Sequence, residues 1–238
     1  MVRRAIKSSL NKVGWDLTRY VEMPARPFRV LPYLVAEELQ KNANFFFLQI
    51  GANDGVADDP LHDLALRHKL RGLLVEPLPN LFERLKANYA GQPGVAFERC
   101  AIGRTDGEMS LYRVRPDAPV PQWVHLIASF NRRHLSASAG SEVPELEKYV
   151  EEVKVPSLTL HTLLRKHDIE DLTLLVTDTE GFDCEIVNMA LDAGLRPAII
   201  NYEFIHAVPQ ARVDCKKRLM QAGYSFIDVG RDTLAVRR

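Results

Sequence analysis

Gln49-Ile50-Gly51-Ala52-Asn53-Asp54-Gly55 closes a short apolar run, Phe45–Ile50 (FFFLQI), and decides how the chain is read. A continuous apolar run of this length, aromatic-rich and ending in turn residues, is the pattern of a parallel strand buried on both faces. The two glycines are separated by three residues. Glycine admits positive φ and close approach of a ligand to the backbone. At the carboxyl end of a central strand such a bend lies where open α/β sheets bind ligands. The spacing is Gly-x-x-x-Gly, which suits a pyrophosphate less well than Gly-x-Gly-x-x-Gly.

Outward from this point, strand and helix patterns alternate. Asp59-Pro60 starts a helix, with Asp as cap and Pro at its first position. Leu73–Val75 is a second buried strand, closed by Glu76-Pro77, and Pro79–Tyr89 is a helix with Phe82, Leu85 and Tyr89 on one stripe. Val95–Ala101 is a third strand and Gly107–Val114 an antiparallel one. Leu172–Thr177 follows, ending at Asp178, then a helix over Cys184–Ala193 stopped by Gly194. Ala198–Phe204, a helix over Val213–Ala222, and a hairpin of Tyr224–Val229 with Asp232–Val236 complete the chain. This order predicts an α/β fold, mainly parallel, with helices on both faces and an antiparallel hairpin at the edge. Residues 43–238 form that domain and residues 1–42 a helical extension. Ile6, Leu10, Val13 and Leu17 fall at helical spacing in a basic segment, which either packs on the domain or touches a membrane surface or partner. Residues 116–150 are irregular and read as a lid or substrate segment.

Composition narrows the function classes. Hydrophobic residues make up 46% of the chain and charged residues 26%, which suits one large domain with an appendage. Lys+Arg and Asp+Glu are both 31, so no bulk charge draws the protein to nucleic acid. Cys100, Cys184 and Cys215 are widely separated, which argues against disulfides and a structural zinc site. No apolar run reaches a membrane span, and no apolar stretch follows the basic Met1–Lys7. A cytoplasmic enzyme is expected, with its oligomeric state open.

Four strand ends carry candidate chemistry. The glycine bend is the first. Glu76, about 20 residues further on, is the second, since an acidic group there can accept both hydroxyls of a ribose. Asp178 and Glu180 in Asp178-Thr179-Glu180-Gly181 are the third, suited to proton transfer or a hard cation, or else to capping the next helix. Glu203 and His206 are the fourth, and a histidine with a pKa near ~6.5 can take a proton at neutral pH.

Together these blocks resemble the FkbM family of methyltransferases. The resemblance rests on IGANDG with Asp59-Pro60, GLLVEPLPNLFERLKANY, ERCAIG, the stretch from Val155 to Val187, IINYEF, and the closing GYSFIDVGRDTLAVR. It implies a Rossmann-like class I methyltransferase sheet of seven strands with the last antiparallel. It also implies S-adenosylmethionine as donor and O-methylation of a sugar, glycan or natural product. By position, Gly51, Ala52 and Asn53 would line the methionine part, Glu76 would hold the ribose and Ala101 would contact the adenine through its backbone, with Gly55 and Pro77 also at the cofactor. Asp178 would approach the amino group or the acceptor. Gln49 stands where many methyltransferases carry an acid, which leaves the anchoring of that amino group in doubt. His206 or Asp178 is the expected base, with Glu180 and Glu203 next and His125 weaker. A divalent cation on Asp178, Glu180 and Glu203 is an unfavoured alternative. The rival functions are a scaffold on the same fold and a nicotinamide-dependent oxidoreductase.

Overall fold

The computed structural model describes residues 30–133, 135 and 142–237, so the amphipathic segment near residues 6–17 lies outside it. The first helix, α1, spans Leu31–Lys41 and buries Leu31 and Val35. Then follow β1 (Phe46–Ile50), α2 (His62–His68), β2 (Arg71–Val75), α3 (Pro79–Asn88) and β3 (Val95–Glu98). A smaller set comes next: β4 (Ala101–Ile102), β5 (Gly107–Val114), β6 (Ala128–Ser129) and β7 (Val150–Leu158), with single 3-10 turns at Gln122–Leu126 and Leu146–Tyr149. The chain closes with α4 (Leu160–Lys166), β8 (Leu174–Thr177), α5 (Asp183–Asp192), β9 (Ile199–Glu203), α6 (Pro209–Gln221), β10 (Tyr224–Val229) and β11 (Asp232–Arg237).

The main sheet has seven strands in the order β10-β11-β9-β8-β1-β2-β3. All neighbours from β3 to β9 are parallel, and β11 runs antiparallel to both β9 and β10. The doubly wound arrangement expected from the sequence is therefore present. One detail differs. The hairpin does not simply extend the edge: β11 enters between β9 and β10. Leu234 and Ala235, both buried, give β11 the apolar stretch an interior strand requires, whereas Ile227 and Val229 of β10 are exposed.

The central strands form because they have nowhere polar to face. All four residues of β8 and all five of β9 are buried. Phe47, Leu48, Leu74 and Leu175 are fully enclosed, and each such side chain contributes roughly 1.5–3 kcal/mol relative to exposure. Their core continues into α5 through Ile186, Val187 and Ala190.

A second sheet, β4-β7-β5-β6, accounts for other differences from the sequence reading. The third strand stops at Glu98, and Ala101-Ile102 leaves for this sheet, pairing with Ser157-Leu158. The sequence pattern gives only a strand–helix join over Ser157–Lys166, whereas β7 begins seven residues earlier, at Val150. The described residues of 116–150 hold the two 3-10 turns and β6, and carry an apolar cluster of Ala118, Val124, Ile127, Leu135, Val143 and Leu146. No helix among the described residues is long and apolar enough to cross a membrane.

Register sets the position of the site. Ile50 lies opposite Val75 and Thr177, and Thr177 opposite Tyr202. The residues one step further, Gly51, Glu76, Asp178 and Glu203, therefore emerge side by side at one rim.

Candidate functional site

At that rim opens a cavity of about 400 Å³, within the range of a small-molecule site. Gly51, Ala52, Asn53, Glu76, Pro77, Ala101, Asp178, Glu180 and His206 all line it. Gly55 and Glu203 are not among its lining residues.

The glycine bend is held by the sheet itself. The N–H groups of Gly51 and Ala52 both donate to the Val75 carbonyl at 3.0 Å. Gly51 has φ +80°, and a Cβ there would stand 1.9 Å from the Asp178 carbonyl oxygen. Glycine is thus required by contact between two strand ends, before any ligand is considered. Gly55 serves packing: a Cβ on it would meet Leu85 and Tyr89. Asp54, which sequence reasoning passed over, organises the turn. Its Oδ1 accepts N–H bonds from Val56 and Ala57, and its Oδ2 pairs with Arg84 at 2.6 Å.

Asn53 and Glu76 meet. The Asn53 N–H donates to Glu76 Oε2 at 3.0 Å, and the Leu78 N–H donates to Oε1 at 2.9 Å. Glu76 is 5% exposed, and burial pushes its carboxyl up to about 7 against the pull of these two bonds. Each oxygen keeps a lone pair for a hydroxyl donor. Leu81, Cys100, Ala101, Ile102 and Leu111 give the cavity an apolar part of its lining.

The other half of the rim is acidic. Glu180 (φ 55°) and Gly181 (φ 111°) form a tight turn after β8. Asp183 holds this turn, accepting the Thr179 N–H at 3.0 Å and the Gly181 N–H at 3.3 Å. It is 1% exposed, and burial raises its carboxyl to about 6. His206 Nε2 lies 3.4 Å from Glu180 Oε2 and 3.7 Å from Glu203 Oε1. Glu203 sits behind the lining, 1% exposed, where Arg231 donates to its Oε1 at 2.8 Å. Burial raises the Glu203 carboxyl, as do neighbouring Asp178 and Glu180. Asp178 opens onto the cavity yet has protein on most sides. That enclosure, with Glu180 next to it, raises its carboxyl too.

Asp183 and Arg231 are the site-building residues that the sequence reading missed. In the sequence Asp183 stands just before the helix read at Cys184–Ala193, and Arg231 in the turn between the two hairpin strands. Only the register of β11 against β9 brings Arg231 to Glu203. Of the residues weighed for a cation, Glu180 and Glu203 come together with His206, their donor atoms within 4.8 Å of one another. Asp178 is not part of that group, and nothing beyond this proximity supports a divalent cation.

The roof comes from the second sheet and its turns. Trp123, Leu126, Ile127, Ala128 and Phe130 line the cavity. Asn53 Nδ2 donates to the Leu126 carbonyl at 2.9 Å, tying roof to glycine bend. Ser129 Oγ donates to the Glu180 carbonyl at 3.3 Å, and Phe130 packs edge-on against Phe182 with ring centroids 5.5 Å apart. His125 does not line the cavity.

Comparison with known proteins adds the following. Residues 49–225 match the methyltransferase FkbM domain family. No curated protein matches the chain. Among solved structures, the Methanococcus jannaschii fibrillarin pre-rRNA processing protein is 9% identical. That alignment covers 81% of this chain and 65% of that one, less than two thirds of its length, with a TM-score of 0.40. A precorrin-6y C5,15-methyltransferase from Geobacter metallireducens is 10% identical, covering 89% and 90%, with a TM-score of 0.42. A human methyltransferase 10 domain containing protein is 14% identical, covering 99% and 95%, with a TM-score of 0.43. Likeness this loose carries no argument about chemistry.

Proposed function

We propose, from the premise that the chain belongs to the FkbM methyltransferase domain family, that it uses S-adenosylmethionine to methylate a hydroxyl group of a small molecule or glycan. The observation that carries this reading is the 3.0 Å contact between the Asn53 N–H and Glu76 at the mouth of the cavity. It joins a glycine bend to an acidic strand end in the arrangement that a nucleoside requires.

When bound, S-adenosylmethionine supplies an electrophilic methyl group on a positively charged sulfur. Glu76 would accept the ribose hydroxyls, and Leu81, Ala101 and Ile102 would lie against the base. Gly51 and Ala52 would face the methionyl part. Asp178 and Glu180 would stand near the sulfonium, whose positive charge favours their ionised forms. Trp123, Leu126 and Phe130 would cover the acceptor and limit its contact with water. His206, beside Glu180 and Glu203, would take the acceptor hydroxyl's proton at Nε2. Trp123, Leu126, Ile127 and Phe130, from the segment 116–150, shape the acceptor pocket.

Thermal unfolding with S-adenosylhomocysteine or NAD tests the cofactor. A ligand specific for the folded state, at 100-fold over its Kd, stabilises by about 2.7 kcal/mol. A melting shift with NAD and none with S-adenosylhomocysteine would sink the reading in favour of an oxidoreductase. Methyl transfer from labelled cofactor to candidate glycans then tests the acceptor. Loss of transfer in Asp178→Ala, with the fold intact, separates an enzyme from a scaffold.

A further inference from the structure

Two buried acceptor atoms flank the glycine bend without closing a hydrogen bond, although the Gln49 amide and the Tyr89 hydroxyl stand near one of them. Gln49, the penultimate residue of β1, is 3% exposed, lines the cavity, and its Oε1 has no hydrogen-bond partner. Asp59, also on the cavity wall, has one oxygen engaged: Oδ1 accepts the N–H of Leu61 at 2.6 Å and of His62 at 3.2 Å. Its Oδ2 is buried without a partner. The backbone bends at Asp58 (φ 52°), and Asp59 comes back beside Gln49. The Tyr89 hydroxyl stands near Asp59 without closing a hydrogen bond. No Lys or Arg among the described residues pairs with Asp59.

Buried polar atoms in native proteins are nearly always paired, and each unpaired one costs ~1–3 kcal/mol. Here two lie on one cavity wall, one of them a carboxylate oxygen. A group that satisfies several acceptors at once and prefers a carboxylate is an ammonium, with three donors and no acceptor. Burial raises the Asp59 carboxyl, and a neutral hydroxyl or amide N–H would do less than a cation to hold it ionised. Asp59 Oδ1 is already fixed by two backbone bonds, so Oδ2 is preorganised.

We propose that Asp59, with Gln49 beside it, binds the α-ammonium of the methionyl end of the cofactor. This rests on the adenosyl reading above and completes it: the acid absent at position 49 is supplied from position 59. Asp178 is then left to the sulfonium and acceptor.

The test compares two ligands by calorimetry. S-adenosylhomocysteine carries the amino-acid end, and 5′-methylthioadenosine lacks it. Asp59→Asn keeps Oδ1 as an acceptor for the Leu61 and His62 turn. It weakens S-adenosylhomocysteine binding by about tenfold or more, the worth of one charge-assisted hydrogen bond, and leaves 5′-methylthioadenosine within about twofold. Unchanged binding of S-adenosylhomocysteine overturns the inference. So does an equal loss for both ligands, which would mark damage to the turn. Wild-type protein that binds both ligands equally tightly overturns the inference but spares the adenosyl reading. Wild-type protein that binds neither overturns both.

Discussion

Replacing Glu76 by glutamine exchanges one buried oxygen for an NH2 group and removes a charge. In the native site both carboxylate oxygens face backbone donors, Asn53 N–H at 3.0 Å and Leu78 N–H at 2.9 Å. The glutamine NH2 must face one of these donors, so one N–H loses its acceptor, at ~1–3 kcal/mol. Against this stands a gain. A carboxyl held at about 7 and not 4.5 costs about 3 kcal/mol to ionise in the folded state, at ~1.4 kcal/mol per pH unit. At pH 8 the two effects nearly cancel, so Glu76→Gln folds with a melting temperature near that of the wild type. Ligand binding has no such offset. Losing a charge-assisted bond from the ribose costs about 1.5–3 kcal/mol, or roughly 10- to 150-fold in affinity. Calorimetry with S-adenosylhomocysteine at pH 6 to 9 reads both quantities. Wild-type affinity rises through about pH 7 as Glu76 ionises and becomes the better acceptor, and Glu76→Gln loses that rise. Undiminished affinity in the variant, or the same pH profile in both proteins, refutes the assignment of Glu76 to the ribose.

The same carboxyl makes a stability prediction. Its folded pKa lies above its unfolded value, so the folded state binds the extra proton. Stability measured in urea therefore falls as pH rises from about 4.5 to 7, and Glu76→Gln lessens that fall. Asp183→Ala leaves the Thr179 and Gly181 N–H groups without acceptors and destabilises by about 2 kcal/mol or more, read as a lower urea midpoint. Asp183→Asn should recover part of the loss. Gly51→Ala drives a Cβ into the Asp178 carbonyl and unfolds or severely destabilises the rim, whereas Gly91→Ala, with φ +85° but open space, costs only about 1 kcal/mol. Comparing their melting temperatures checks that contact. It matters for interpretation, because lost binding in any Gly51 variant reflects a broken strand end before it reflects a blocked ligand.

What the sequence made legible follows from locality. β1, β2, β8 and β9 are short apolar runs with polar punctuation, so their existence, order and carboxyl ends could be read directly. Once they are parallel, Gly51, Glu76 and Asp178 must share a rim. β7 was mostly missed because Val150–Leu158 mixes apolar with charged residues, carries Pro156, and buries only Val155 and Ser157. Its strand character comes from pairing with β5 along eight residue pairs, which no local pattern announces. Asp183 and Arg231 were missed for the same reason. Their roles lie in contacts with a turn and with a strand, and neither contact can be read from residue type.

The position of β11 ties the acidic rim to the register of the sheet. β11 pairs with β9 on one side and β10 on the other, and the turn that joins it to β10 carries Arg231. A one-residue slip of β11 against β9 would turn its apolar residues to the other face and carry Arg231 away from Glu203, leaving that buried carboxyl without its guanidinium.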